Sequence, residues 1–240
     1  MSFWSVFAAS FTASLVTGFG IYVIYKFADW GERNAIYFMS FAGGVLISVS
    51  VIHIAPESLE FSETSPFYFL AGYFGLFLTN QFFQTFFCPG GNCGESKGWI
   101  SVLGIGFHSF VDGVIYAITF NVSIFTGILA AIGMVLHEFP EGIVSFLLLK
   151  RMGIDEKKSS LIALLTAGLS TPLGTLVSFF FIRNIAGEDL GYLLATAGGV
   201  LLYVGATHLI PEVEKESKRF SFLTLLGGVL VALIIVFTGH

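Results

Sequence analysis

AGGVLISVSVIHIAPE, residues 42–57, returns 155 positions later as AGGVLLYVGATHLIPE, residues 197–212. Nine of the sixteen positions are identical, among them Ala42, Gly43, Gly44, His53, Pro56 and Glu57. The likeness extends backwards: TASLVTGFG (12–20) aligns with TAGLSTPLG (166–174) and keeps Thr12, Ala13, Leu15, Thr17 and Gly20. Forwards it is weaker, through Phe67 with Phe222 and Gly72 with Gly227. Chance similarity between Gly-rich apolar stretches is the plain alternative. A gapless nine-residue match that carries a His and a Glu inside oily sequence argues instead for a duplicated unit of three segments.

Composition says what those segments are. Of 240 residues, 55% are hydrophobic and 11% charged, with a mean hydropathy of +0.86. Soluble domains carry roughly 25% charged residues. A membrane crossing needs about 20 apolar residues. Eight such stretches are expected, at 3–25, 35–54, 67–87, 99–120, 124–149, 159–182, 190–210 and 222–239. The first is too long for a signal-peptide core and has no basic residue before Lys26, so it is expected to be a retained span. The fold class is therefore an all-α polytopic membrane protein. It is one transmembrane domain made of spans one to three (1–98), spans four and five (99–150) and spans six to eight (151–240). Five spans separate the repeated ones, so the two copies run in opposite directions. Inverted three-plus-two-plus-three repeats are a transporter architecture with substrate near the midplane.

Orientation follows from Lys and Arg. The connections after spans one, three, five and seven hold ten of them, from Lys26 to Arg219, and the opposite side holds only Arg183. The bias places the odd connections in the cytoplasm. Both termini are then extracytoplasmic, and the short loops fit a plasma (inner) membrane. Cys88 and Cys93, in CPGGNC, fall on the cytoplasmic side, where a disulfide is disfavoured. Two thiols fall short of the four ligands of a structural zinc site, so a Gly/Pro turn is the plainer reading.

Spans four and five, between the repeats, resemble each other: HSFVDG (108–113) and HEFPEG (137–142). His108 and Asp112 stand four residues apart, as do His137 and Glu141, so each helix presents an imidazole and a carboxylate on one side. Facing one another, the pairs supply two nitrogens and two carboxylates, enough for a divalent transition metal. Ser109 and Glu138 lie one residue further round and reach an adjacent position. A lone intramembrane His is often a satisfied hydrogen-bonding group, and a lone acid can be neutral. Each Asp at a helix centre costs about 2.5–3.5 kcal/mol on the insertion scale, so five such groups at one depth point to a function. A metal-free proton relay is the alternative use of the same groups. Pro140 removes the helical partner of the Leu136 carbonyl beside these ligands, and Thr171-Pro172 interrupts span six in the same way. His53/Glu57 and His208/Glu212 also stand four apart, at the outer end of span two and the inner end of span seven. They are expected to capture and release the ion, or else to be ordinary polar residues at helices ended by Pro56 and Pro211. Asn80, Gln81 and Gln84 in span three are expected to hydrogen-bond between helices.

At these residues the chain resembles the ZIP (Zrt-/Irt-like) family of divalent metal transporters. The resemblance runs the whole length: eight spans, the inverted repeat, and the two His-x-Phe-x-acid-Gly motifs on consecutive spans. It implies uptake of zinc, iron(II), manganese or related ions into the cytoplasm. It implies a metal centre at His108, Asp112, His137 and Glu141, binuclear in some members through Ser109 and Glu138. An elevator-like motion of one helix bundle against the other is part of what it implies. Ser109 stands where many members have Asn, and Thr171 where some bacterial members have Glu. The long His-rich cytoplasmic loop of many eukaryotic members is absent.

The expected mechanism is alternating access with no prosthetic group and no ATP hydrolysis, since no nucleotide-binding Gly-rich loop is present. The cargo is a divalent ion: zinc, iron(II), manganese, cadmium or cobalt. The absence of intramembrane Cys argues against copper(I). The expected partners are that ion and the lipid bilayer, with no nucleic acid; homodimerisation stays open. The rival is an intramembrane metallohydrolase, because His137-Glu138-x-x-Glu141 partly matches the His-Glu-x-x-His zinc-protease helix, without its second His.

Overall fold

Inside a bilayer no water pairs with the backbone, so an apolar chain must satisfy its peptide groups within each segment, as a helix. The computed structural model describes the backbone of residues 2–87, 96–216, 218 and 220–238, and among them there is no strand. Among the described residues the helices join end to end into eight rods: α1 (Phe3–Lys26), α2 (Ala28–Phe61), α3 (Ser65–Phe87), α4 (Ser96–Val122), α5 (Ile124–Arg151), α6 (Glu156–Ile182), α7 (188–216) and α8 (Ser221–Thr238). Six of them are long and apolar enough to cross a membrane by length and composition. The apolar helix of α8 is shorter, and α3 has 23 residues, about 35 Å of helix. The chain is an all-α, multi-pass membrane protein.

Some rods outrun their sequence limits. Span two was expected at 35–54, with a charged connection before it. In the structure only Phe27 separates α1 from α2, which begins at Ala28 and takes Asp29 into its first turn. Nor do the prolines end helices. Pro56, Pro172 and Pro211 are each preceded by a wider π turn, at Ser50–Ile54, Leu164–Gly168 and Val204–Leu209. In these turns Ala55 N–H donates to Ser50 O, Leu169 N–H to Leu164 O and Ile210 N–H to Gly205 O. A proline ring collides with the carbonyl four residues back and offers no N–H. Spacing the ladder by one extra residue absorbs the defect, and the helix continues past Pro56, Pro172 and Pro211. α5 runs unbroken through Pro140.

The packing repeats as the sequence does. α1 lies along α5 and α6 along α4; α2 lies along α8 and α7 along α3. Exchanging the copies, and α4 with α5, maps each pair onto the other. Four glycines mark the same symmetry at atomic scale. A Cβ on Gly20 would overlap the Phe139 carbonyl, and one on Gly174 would overlap that of Phe110. A Cβ on Gly142 would overlap the Thr17 carbonyl, and one on Gly113 that of Thr171. These backbones touch, which is the role small residues play in membrane helix pairs. Asn80 on α3 donates to the Tyr203 hydroxyl on α7 at 3.1 Å, the interhelical bond expected of span three. Gln81 is exposed, and the side chain of Gln84 lies outside the described residues.

The apolar core is in two parts. One contains Leu46, Ile54, Ile115, Phe120, Leu129 and Met134; the other contains Ile21, Ile24, Val102, Phe139, Ile143 and Leu149. Along α4 the fully buried apolar members of the two parts are Val102 and then Ile115, and His108 and Asp112 fall between them.

Candidate metal centre

α4 and α5 pack together and turn their repeated motifs toward each other. His108 and Asp112 come from α4, one helical turn apart; His137 and Glu141 come from α5, also one turn apart. One donor atom from each of the four lies within 4.8 Å of all the others. His137 Nε2 is 3.0 Å from Asp112 Oδ2 and 3.6 Å from Glu141 Oε2, and His108 Nε2 is 3.7 Å from Asp112 Oδ2. Ligand bonds of about 2.0 Å in a tetrahedron separate neighbouring donors by roughly 3.3 Å. The observed spacings bracket that value.

The lone pairs are directed inward. His137 Nδ1 faces the Gly133 carbonyl at 3.4 Å, which assigns the proton to Nδ1 and leaves Nε2 to face the other three side chains. Asp112 is 1% exposed and His137 3%. Both Asp112 oxygens, His137 Nε2 and Glu141 Oε2 are buried and accept or donate no hydrogen bond among the described residues. A cluster of buried donors left in that state is costly unless a cation holds it together. The residues present fit a divalent metal.

Ser109 and Glu138 do not join the four. The one Ser109 hydroxyl proton has two acceptors in reach, Glu141 Oε1 at 3.1 Å and the Ile105 carbonyl at 3.0 Å, so the side chain sits against Glu141 rather than among the four. Glu138 is fully buried, and its two oxygens accept separately from Thr17 on α1 and Thr171 on α6, the latter at 2.9 Å. Those threonines occupy equivalent positions of the two repeats. In a His-Glu-x-x-His hydrolase the Glu acts as general base toward the metal. Here two hydroxyls occupy it, so the geometry gives the hydrolase reading no support.

His53 and Glu57 meet at 3.2 Å at the end of the π turn of α2. They also meet Thr126, on the first turn of α5, whose hydroxyl lies 2.9 and 2.8 Å from the two Glu57 oxygens and 3.3 Å from His53 Nε2. The side chains of His208 and Glu212, and all of Cys88 and Cys93, lie outside the described residues.

Sequence reasoning missed three participants. Thr17 carried a signal, since it is one of the five identities with 166–174. Tyr116 follows Asp112 by one turn and is buried, with a hydroxyl that makes no hydrogen bond among the described residues. Thr126 carried no signal, because nothing in 124–149 marks it as facing α2.

The profile of the family described as ZIP zinc transporter matches residues 91–236, more than half of the chain and both motifs. The chain belongs to the ZIP family. Curated members resemble it at a distance. The metal cation symporter ZIP14 of Mus musculus is 29% identical over 132 residues, 52% of this chain and 26% of that protein. ZIP14 of Homo sapiens is 28% identical over 143 residues, 57% of this chain and 26% of that protein. The zinc transporter ZIP10 of Danio rerio is 27% identical over 160 residues, 60% of this chain and 18% of that protein. This ZIP chain thus spans about a quarter or less of the length of the curated relatives it matches.

Proposed function

We propose that the protein is a transporter, not an enzyme, that moves a divalent transition-metal ion into the cytoplasm by alternating access. The observation that carries this reading is the His108–Asp112–His137–Glu141 cluster, with its inward lone pairs between two apolar packs. The cargo class is zinc, iron(II), manganese, cadmium or cobalt, all suited to mixed imidazole and carboxylate donors. The ion is captured at His53/Glu57, passes to the central four and leaves past His208/Glu212. The Lys/Arg bias supports a plasma (inner) membrane setting with both termini extracytoplasmic. The repeated packing supports one transporter domain built from units 1–98, 99–150 and 151–240.

Zinc uptake by the purified chain in liposomes, loaded from the outer face, tests the reading. Uptake is expected in the intact protein and lost in His137→Ala/Glu141→Ala. A double variant that moved zinc at the original rate would sink the central site.

A further inference from the structure

The cluster at the end of α2 joins that rod to α5, which carries His137 and Glu141. Thr126 sits where Ser123 caps α5: the Ser123 side chain accepts from Thr126 N–H at 2.9 Å, and the two hydroxyls are 2.7 Å apart. That cap fixes Thr126 in one place. A threonine hydroxyl has one proton to give. Both Glu57 oxygens lie within 2.9 Å of it, so that proton is shared across the carboxylate, while Ser123 or His53 fills the acceptor side. Phe125 sets its ring edge against His53, with centroids 5.2 Å apart. α2 is thus bonded to the first turn of the rod that carries His137 and Glu141. Thr126 is fully buried and His53 nearly so, but Glu57 keeps 20% of its side-chain surface open.

We infer that Thr126 is a positioning residue that latches α2 to α5, and that a divalent cation captured by His53 and Glu57 releases the latch. The inference rests on the transporter reading. The Thr126 hydroxyl fills the notch between both Glu57 oxygens and His53 Nε2, the place a cation bound by the same three atoms has to take. A cation seated there displaces the hydroxyl, and α2 and α5 come apart at their outer ends. Two protein ligands are fewer than the four of a tight zinc site, so the captured ion passes inward. Loading and unlocking then become one event.

The test uses the full chain in liposomes with Cys88→Ser/Cys93→Ser as background. Spin labels go on the exposed positions Leu59→Cys, on α2, and Ile124→Cys, at the start of α5. Zinc alone is expected to lengthen and broaden the label spacing. Thr126→Val should show the zinc-like spacing before zinc is added, with KM for zinc lowered roughly 5-fold because no hydroxyl competes for Glu57. Thr126→Ser should restore wild-type behaviour. Glu57→Gln, which keeps an acceptor for Thr126 but loses the charge, should stay latched with or without zinc. Unchanged KM and zinc-dependent spacing in Thr126→Val overturn the latch, as does a wild-type spacing indifferent to zinc. Absence of zinc uptake in the wild type defeats the transporter reading instead, and the spacing data then judge the latch on their own.

Discussion

Glu138 and Glu141 are three residues apart on one helix and have different partners. Glu141 turns to His137 and Ser109; Glu138 turns away to Thr17 and Thr171. This predicts one tightly held metal per chain. Zinc titration of the purified protein should reach a stoichiometry of one, and Glu138→Gln should keep it, because an amide carbonyl still accepts from both threonines. Asp112→Asn should weaken zinc affinity by more than the roughly 10–100-fold that loss of an outer-shell partner costs. Ser109→Ala, which removes such a partner, should fall within that range. Measured dissociation constants in reverse order would mean that Ser109, not Asp112, lies nearer the metal.

At the scale of helices, α1 and α6 hold their neighbours through glycine contacts that leave no room for a methyl group. Gly142→Ala drives a Cβ into the Thr17 carbonyl, and Gly113→Ala does the same at Thr171. Overpacking of this kind costs about 1–3 kcal/mol. Either substitution should lower the Tm of the detergent-solubilised protein. Gly75→Ala, with open space around its Cβ, should leave it unchanged. The site feels the same contacts, because Gly142, whose Cα lies against the Thr17 carbonyl, directly follows Glu141 on α5. Loss of stability should therefore come with weaker zinc binding in Gly142→Ala.

For the molecule as a whole, metal competes with protons for every ligand. Zinc uptake should therefore fall as the outer pH is lowered. A rate indifferent to acid would mean that protons and the ion do not share these side chains. The topology is tested separately. An impermeant thiol reagent on intact cells should label Glu63→Cys, in the loop after α2, and spare Asp155→Cys, in the loop after α5. The reverse pattern would turn the direction of transport around.

The rods, their repetition and the meeting of His108, Asp112, His137 and Glu141 were legible in the amino-acid string. Each rests on a local period or a gapless match: apolar length makes a membrane helix, a spacing of four puts His and acid on one face, and an internal copy implies symmetric packing. The π turns before Pro56, Pro172 and Pro211 were not legible, because a proline reads equally as an end or a kink until the neighbouring helices fix the backbone. The partner of Glu138 and the Thr126 contact were decided only by tertiary structure. One position round a helix, 100° of turn, separates His137, in the central cluster, from Glu138, held by two threonines. Which way each side chain faces depends on the rod packed against it, not on the residues beside it in sequence.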